Sequence, residues 1–165
     1  MTVKGARPET GHITPHLVVK DAEVAVQFYR RALGATEIYR AATPEGNELR
    51  ILRIANSLVI VGEEDADLRR NNISYARIAS PDTLGGTTAV FQLNVEDVDE
   101  VYKRAVDSGA TPTVPPMDQF WGDRYGLITD PFGHMWALAT VQEELSSKEI
   151  EARMAGLAPK TYNEL

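Results

Sequence analysis

The chain has 165 residues, 43% of them hydrophobic and 25% charged, with a net charge of −7 and no cysteine. A chain of this length can bury roughly 70% of its unfolded surface around one core. The acidic balance, with no Lys/Arg cluster to supply a basic face, excludes a nucleic-acid surface, and the missing thiols exclude disulfides, zinc thiolates and cysteine nucleophiles.

The first eleven residues, MTVKGARPETG, carry no apolar leader, and no later window approaches 18 apolar residues. The expectation is a soluble, cytoplasmic chain that does not enter a membrane. Residues 1–11 read as an arm, with His12 beside it solvated. A first module follows over 12–64. HLVVKD (16–21) alternates as a strand, and AEVAVQFYRRALGA carries an apolar helical stripe through Val24, Phe28 and Ala32. Asp21 sits at the N-cap position and Gly34 where a left-handed C-cap belongs. Strands are predicted at 36–41, 48–55 and 58–63.

Residues 65–88, polar and glycine-containing, read as a linker or lid. The second module, 89–142, then repeats the first. QLNVED (92–97) matches HLVVKD, so that Leu17, Val19 and Asp21 recur as Leu93, Val95 and Asp97, while His16 becomes Gln92. VYKRAVDSGA matches FYRRALGA in residue type. Asp97 and Glu100 have capping-box spacing, and Gly109 ends the helix. Strands are predicted at about 111–117, 124–129 and 134–140, with the last hairpin closed by DPFG (130–133), a type I turn sequence. In the 143–165 tail, Ser146 and Glu149 cap a helix over 146–157. The fold class is α+β: two tandem βαβββ modules, related by a pseudo-two-fold axis, forming a cupped mixed sheet with helices outside.

Alternation then assigns faces. Pro15, Leu17 and Val19, like Phe91, Leu93 and Val95, point to the helices. Thr14, His16 and Val18, like Val90, Gln92 and Asn94, point to the helix-free face, where a ligand would sit. His134 shares parity with Trp136 and reads as a surface or core-edge residue rather than a catalyst. Trp121, with Phe120 and Tyr125, is a candidate aromatic wall, and Arg124 with Asp123 a candidate polar anchor. The alternative is that Trp121 and Tyr125 are core and Asp123 and Arg124 form a local salt bridge. Tyr39, Arg40, Arg50 and Arg53 lie on strands that border the same face.

The paired βαβββ pattern, FYRRALGA and DPFGHMW resemble the vicinal oxygen chelate superfamily, the glyoxalase I, bleomycin-resistance and extradiol-dioxygenase group. The resemblance spans about 11–142. SPDTLGG, VEDVDEVYKRAVDSGA and WGDRYGLITDPFGHMWALAT are similar to its phosphonate-operon-associated branch. In the metal enzymes of that group four strands each present one His, Glu or Gln, and the matching positions here are Thr14, Val61, Val90 and Ala137. None has metal-ligand chemistry.

The resemblance therefore implies a metal-free cup that binds a small molecule and sequesters it, in a homodimer, with no cofactor. The expected ligand-binding residues are Thr14, His16, Gln92, Asn94, Trp121 and Arg124. An alternative shifts the chelate two residues along each strand, giving one divalent metal ion on His16, Glu63 and Gln92 and a lyase, isomerase or dioxygenase. A third reading makes His16 a general acid/base without metal.

Overall fold

The computed structural model describes residues 13–43, 46–65 and 78–157. In chain order the elements are β1 (His16–Val19), α1 (Ala22–Leu33), β2 (Thr36–Ala42), β3 (Glu48–Ile54) and β4 (Ser57–Glu63). A short helix α2 (Pro81–Leu84) leads into β5 (Val90–Asn94), α3 (Val98–Asp107), β6 (Thr111–Asp118), β7 (Asp123–Thr129), β8 (Met135–Val141) and α4 (Ser147–Leu157). The two predicted βαβββ modules are present. Their strands form two separate four-stranded sheets, ordered β1-β4-β3-β2 and β5-β8-β7-β6. In each, the first strand runs parallel to the fourth and the other pairs are antiparallel.

The caps are where the residue types require them. Asp21 accepts the Val24 N–H at 2.9 Å, and Asp97 accepts that of Glu100 at 3.0 Å, each satisfying a donor that the helix cannot. Gly34 ends α1 at φ 67°, a left-handed conformation suited to glycine. α3 ends one residue earlier than predicted, on Ser108. At α4, Ser146 and Glu149 exchange the reciprocal bonds of a capping box. The predicted arm (1–11), His12 and half of the predicted linker (66–77) lie outside the described residues.

One core serves both modules. Leu17 and Val19 of β1 are fully buried under α1, and the same apolar cluster runs through Val98, Val101 and Ala105 of α3 to Ile128, Trp136 and Leu138. The modules are tied by aromatic rings, with Phe28 and Phe132 centroids at 5.9 Å and Tyr29 and Trp136 at 5.8 Å. At the centre of that join lies Asp130, whose side chain is fully buried. It accepts the Tyr29 hydroxyl at 2.6 Å, the Trp136 indole N–H at 3.1 Å and the backbone N–H groups of Phe132 and His134 at 2.9 Å each. The DPFG turn is thus a hairpin end, as predicted, and also the clasp between modules.

A second polar cluster fastens α1 to its own sheet. Arg50, 1% exposed, projects to the helix side of β3 and pairs with Glu37 at 2.9 Å, Glu23 of α1 at 3.0 Å, and Glu48. This corrects its assignment as a residue bordering the ligand face. Tyr39 and Arg53 are solvent-exposed, and Arg40 bonds Glu37 and Glu23 rather than reaching the ligand face.

Candidate functional site

Cross-strand partners share a face, so the registers place every candidate. In the second sheet Gln92 pairs with Ala137 and Leu93 with Leu138; in the first His16 pairs with Ile60 and Leu17 with Val61. Leu93 repeats Leu17, so Val61 corresponds to Leu138 and both face the helices. The counterpart of Ala137 is Ile60, not Val61. The helix-free positions nearest the expected chelate are therefore Thr14, Ile60, Val90 and Ala137, with His16, Gly62, Gln92 and Ala139 next along. The first four offer neither imidazole nor carboxylate, so the residues present do not fit the metal of the resembling enzymes.

The shifted trio is also corrected. Glu63 pairs in register with Val19 on the helix side, opposite His16 and Gln92. It accepts the Ala22 N–H at 3.0 Å and the Glu48 N–H at 2.8 Å. Thr140 takes the equivalent place in the second module, accepting the Val98 N–H at 2.9 Å. Both residues receive the first N–H of a helix, one by a carboxylate and one by a hydroxyl. Among the described residues no three His, Asp or Glu side chains converge to hold a metal ion. Glu63→Ala is expected to cost about 1–2 kcal/mol in a urea melt, for the lost cap and the unpaired Glu48 N–H. It should leave the thermal response to added divalent cations unchanged.

Arg124 is likewise turned away from the ligand face. Its guanidinium is bidentate to Asp99 at the start of α3, at 2.6 and 2.8 Å, and bonds Asp118 at 3.0 Å. Asp99 is held below the ordinary carboxylate range by those hydrogen bonds. The aromatic wall exists but is self-contained. Phe120 and Trp121 rings stand at 4.9 Å, Trp121 and Tyr125 at 5.9 Å, and the Trp121 indole bonds Asp123. Asn94 lies two positions from Gln92 on the helix-free face and accepts its amide N–H at 3.0 Å.

Among the described residues, a larger and a smaller cavity lie along the seam between modules. The larger, about 420 Å³, opens between the β3–β4 turn and β5. Its walls are Pro15, Ile54, Leu58, Val90, Phe91 and Trp136, and its polar groups are Asn56, Ser57 and the predicted residue Gln92. The smaller, about 220 Å³, is the same place in the repeat, lying between His134 at the β7–β8 turn and His16 of β1. His16 and Gln92 thus open onto different cavities, and Thr14, Asn94, Trp121 and Arg124 line neither. The His16 ring lies over Gly62, where a Cβ would come within 2.5 Å of Nε2. Partial burial holds its pKa below the ordinary histidine value. Sequence reasoning missed Ile54 and residues 56–59. A hairpin tip carries no periodicity, and its seat against β5 is a contact between modules.

The family model described as the Glyoxalase/Bleomycin resistance protein/Dioxygenase superfamily matches residues 10–138. An uncharacterized protein of Mycobacterium bovis is 37% identical over 143 residues, covering 87% of this chain and 91% of that protein. A counterpart in Mycobacterium tuberculosis is 37% identical over 87% of this chain and 82% of its own length. Among solved structures, a glyoxalase/bleomycin resistance protein/dioxygenase from Nocardioides superposes with a TM-score of 0.60 at 23% identity, covering 88% of this chain and 91% of that one. The fosfomycin resistance protein FosX of Listeria monocytogenes gives 0.58 at 21% identity, covering 85% and 97%. At these identities the structural likenesses concern the fold.

Proposed function

The chain belongs to the Glyoxalase/Bleomycin resistance protein/Dioxygenase superfamily, and from that membership we propose that it captures a small, largely apolar molecule between its modules without a metal and without chemical change. The observation that carries the proposal is the pairing of a seam cavity of about 420 Å³ with the absence of imidazole or carboxylate at Thr14, Ile60, Val90 and Ala137. Volumes of about 300–1,000 Å³ with apolar walls and few polar groups are typical of small-ligand sites. Here Trp136 and Phe91 supply flat apolar area, while the Gln92 amide and Ser57 hydroxyl supply orientation. Affinity comes from burying that area, at about 25 cal/mol per Å² before the costs of association. Antibiotics and other natural products are the ligand class this favours, in a homodimeric cytoplasmic protein.

The test is isothermal titration of the full chain with a library of small planar aromatic natural products. Bound compounds are recovered and weighed by mass spectrometry. The expected result is a hit whose affinity is unaffected by EDTA, recovered at unchanged mass, and weakened at least tenfold by Val90→Trp, which fills the cavity. About one tightly held divalent ion per chain that is required for binding, or a product of altered mass, would replace capture by enzymology.

A further inference from the structure

Among the described residues, the end of the segment between modules (78–89) borders the smaller seam cavity. α2 lies over the smaller one, with Val18, Pro81, Leu84 and Phe91 as its apolar surface and His16 and His134 among its polar groups. This wall is built and held. Glu64 accepts the Ser80 N–H at 2.9 Å and the Thr83 hydroxyl at 2.8 Å. Pro81 sits so close to the DPFG turn that a Cβ on Gly133 would meet its own Cβ at 2.8 Å. The space, about 220 Å³, would hold about seven waters at about 30 Å³ each, or one single-ring molecule.

We propose that this cavity is a second ligand site, beside the larger one and sharing Phe91 with it, for a small amine or alcohol: an apolar body with a hydrogen-bond-donating head. His134 is 5% exposed, and its Nδ1 has no hydrogen-bond partner yet lies 3.4 Å from Asp130 Oδ2. A carboxylate at that distance favours the proton on Nδ1 and leaves Nε2 as a lone-pair acceptor. His16, whose partial burial shifts its imidazole toward the neutral form, adds a second acceptor. The surrounding charges select among ligands. Asp130 stands behind His134, Glu64 holds α2, and Asp82 occupies Lys20 at 2.6 Å. Among the described residues, carboxylates therefore outnumber free cations around the cavity, which favours a donor or an ammonium group and disfavours an oxyanion.

The experiment titrates the full chain, labelled with ¹⁵N-histidine, with benzylamine, benzyl alcohol and benzoate, matched in size and different in head group. Benzylamine and benzyl alcohol are expected to shift the imidazole signals of both His16 and His134, with millimolar affinity, while benzoate shifts neither. His134→Leu should weaken benzylamine at least tenfold. If that buried change prevents folding, His16→Leu, on a more exposed residue, is expected to weaken it at least threefold and decides the matter. Benzoate binding as tightly as benzylamine, or amine binding that moves neither imidazole or survives His16→Leu unchanged, would overturn the assignment.

Discussion

Asp130→Ala is expected to destabilise the protein by about 3–5 kcal/mol, the range for removing one partner from a buried charged cluster. The loss strands the Tyr29 hydroxyl, the Trp136 indole N–H and two backbone N–H groups that all converge on this carboxylate. Each stranded donor costs about 1–3 kcal/mol, although such costs do not add. Against a typical total of about 5–15 kcal/mol, the variant sits near the limit of folding. Tyr29→Phe, which removes one donor and leaves the acceptor other partners, should cost about 1–2 kcal/mol. Equilibrium urea melts with far-UV circular dichroism measure both. Equal costs for the two variants would contradict the clasp.

The same group sets an acid limit. Burial pushes the Asp130 carboxyl up, but the His134 imidazole beside it, the Tyr29 hydroxyl bond and the His134 backbone N–H outweigh it, so its pKa is lowered overall. Burial above all, then the negative charge of Asp130 and the bond to it, pushes the Tyr29 hydroxyl far above its ordinary value. A carboxyl whose folded pKa lies below its unfolded value, about 3.9, stabilises the fold fully above that value. The contribution is lost as pH falls through the folded pKa. Asp130→Asn should therefore be costly at pH 7 and progressively less so, relative to the parent chain, below about pH 4.

Arg50→Met is the second large effect, expected at about 2–4 kcal/mol. A buried guanidinium that satisfies three carboxylates is replaced by an apolar stem, leaving Glu48 without its cation and Glu37 with Arg40 alone. The figure is below the full buried-pair range because Glu23 is half exposed and water screens it. Arg50→Lys should recover little, since one ammonium cannot reproduce a planar fork aimed at several carboxylates. Thermal melts at low and high salt distinguish the cases. A purely packing role for Arg50 would make Met the milder change.

The elements were legible because local chemistry and period agreed. Asp21 and Asp97 mark helix starts, Gly34 marks an end, and strand alternation in β1 and β5 separates Leu17 and Leu93 from His16 and Gln92. The failures came where alternation is silent. SLVIVG in β4 is apolar on both faces, so nothing in it says whether Ile60 or Val61 faces the helix, and a one-residue slip exchanges the two sides. Arg50 and Arg124 were misplaced because their directions are set by partners remote in sequence, Glu23 and Asp99. Of the six expected ligand residues, Gln92 lines the larger cavity and His16 the smaller. Asp130 was readable as a turn residue, but its bond to Tyr29 spans 101 residues and leaves no local trace.

That span is also an interval of time. A ribosome adding about 5–20 residues per second makes Asp130 about 5–20 seconds after Tyr29. The first sheet cannot close before Ser57–Glu63 is made, because β1 pairs only with β4. From then until the second hairpin arrives, the emerging module carries a buried-type tyrosine and phenylalanine with their covering rings not yet synthesised. Molecules stalled in that interval expose the surface most prone to wrong association, so a chaperone's need for this chain should rise with slower translation of residues 65–130.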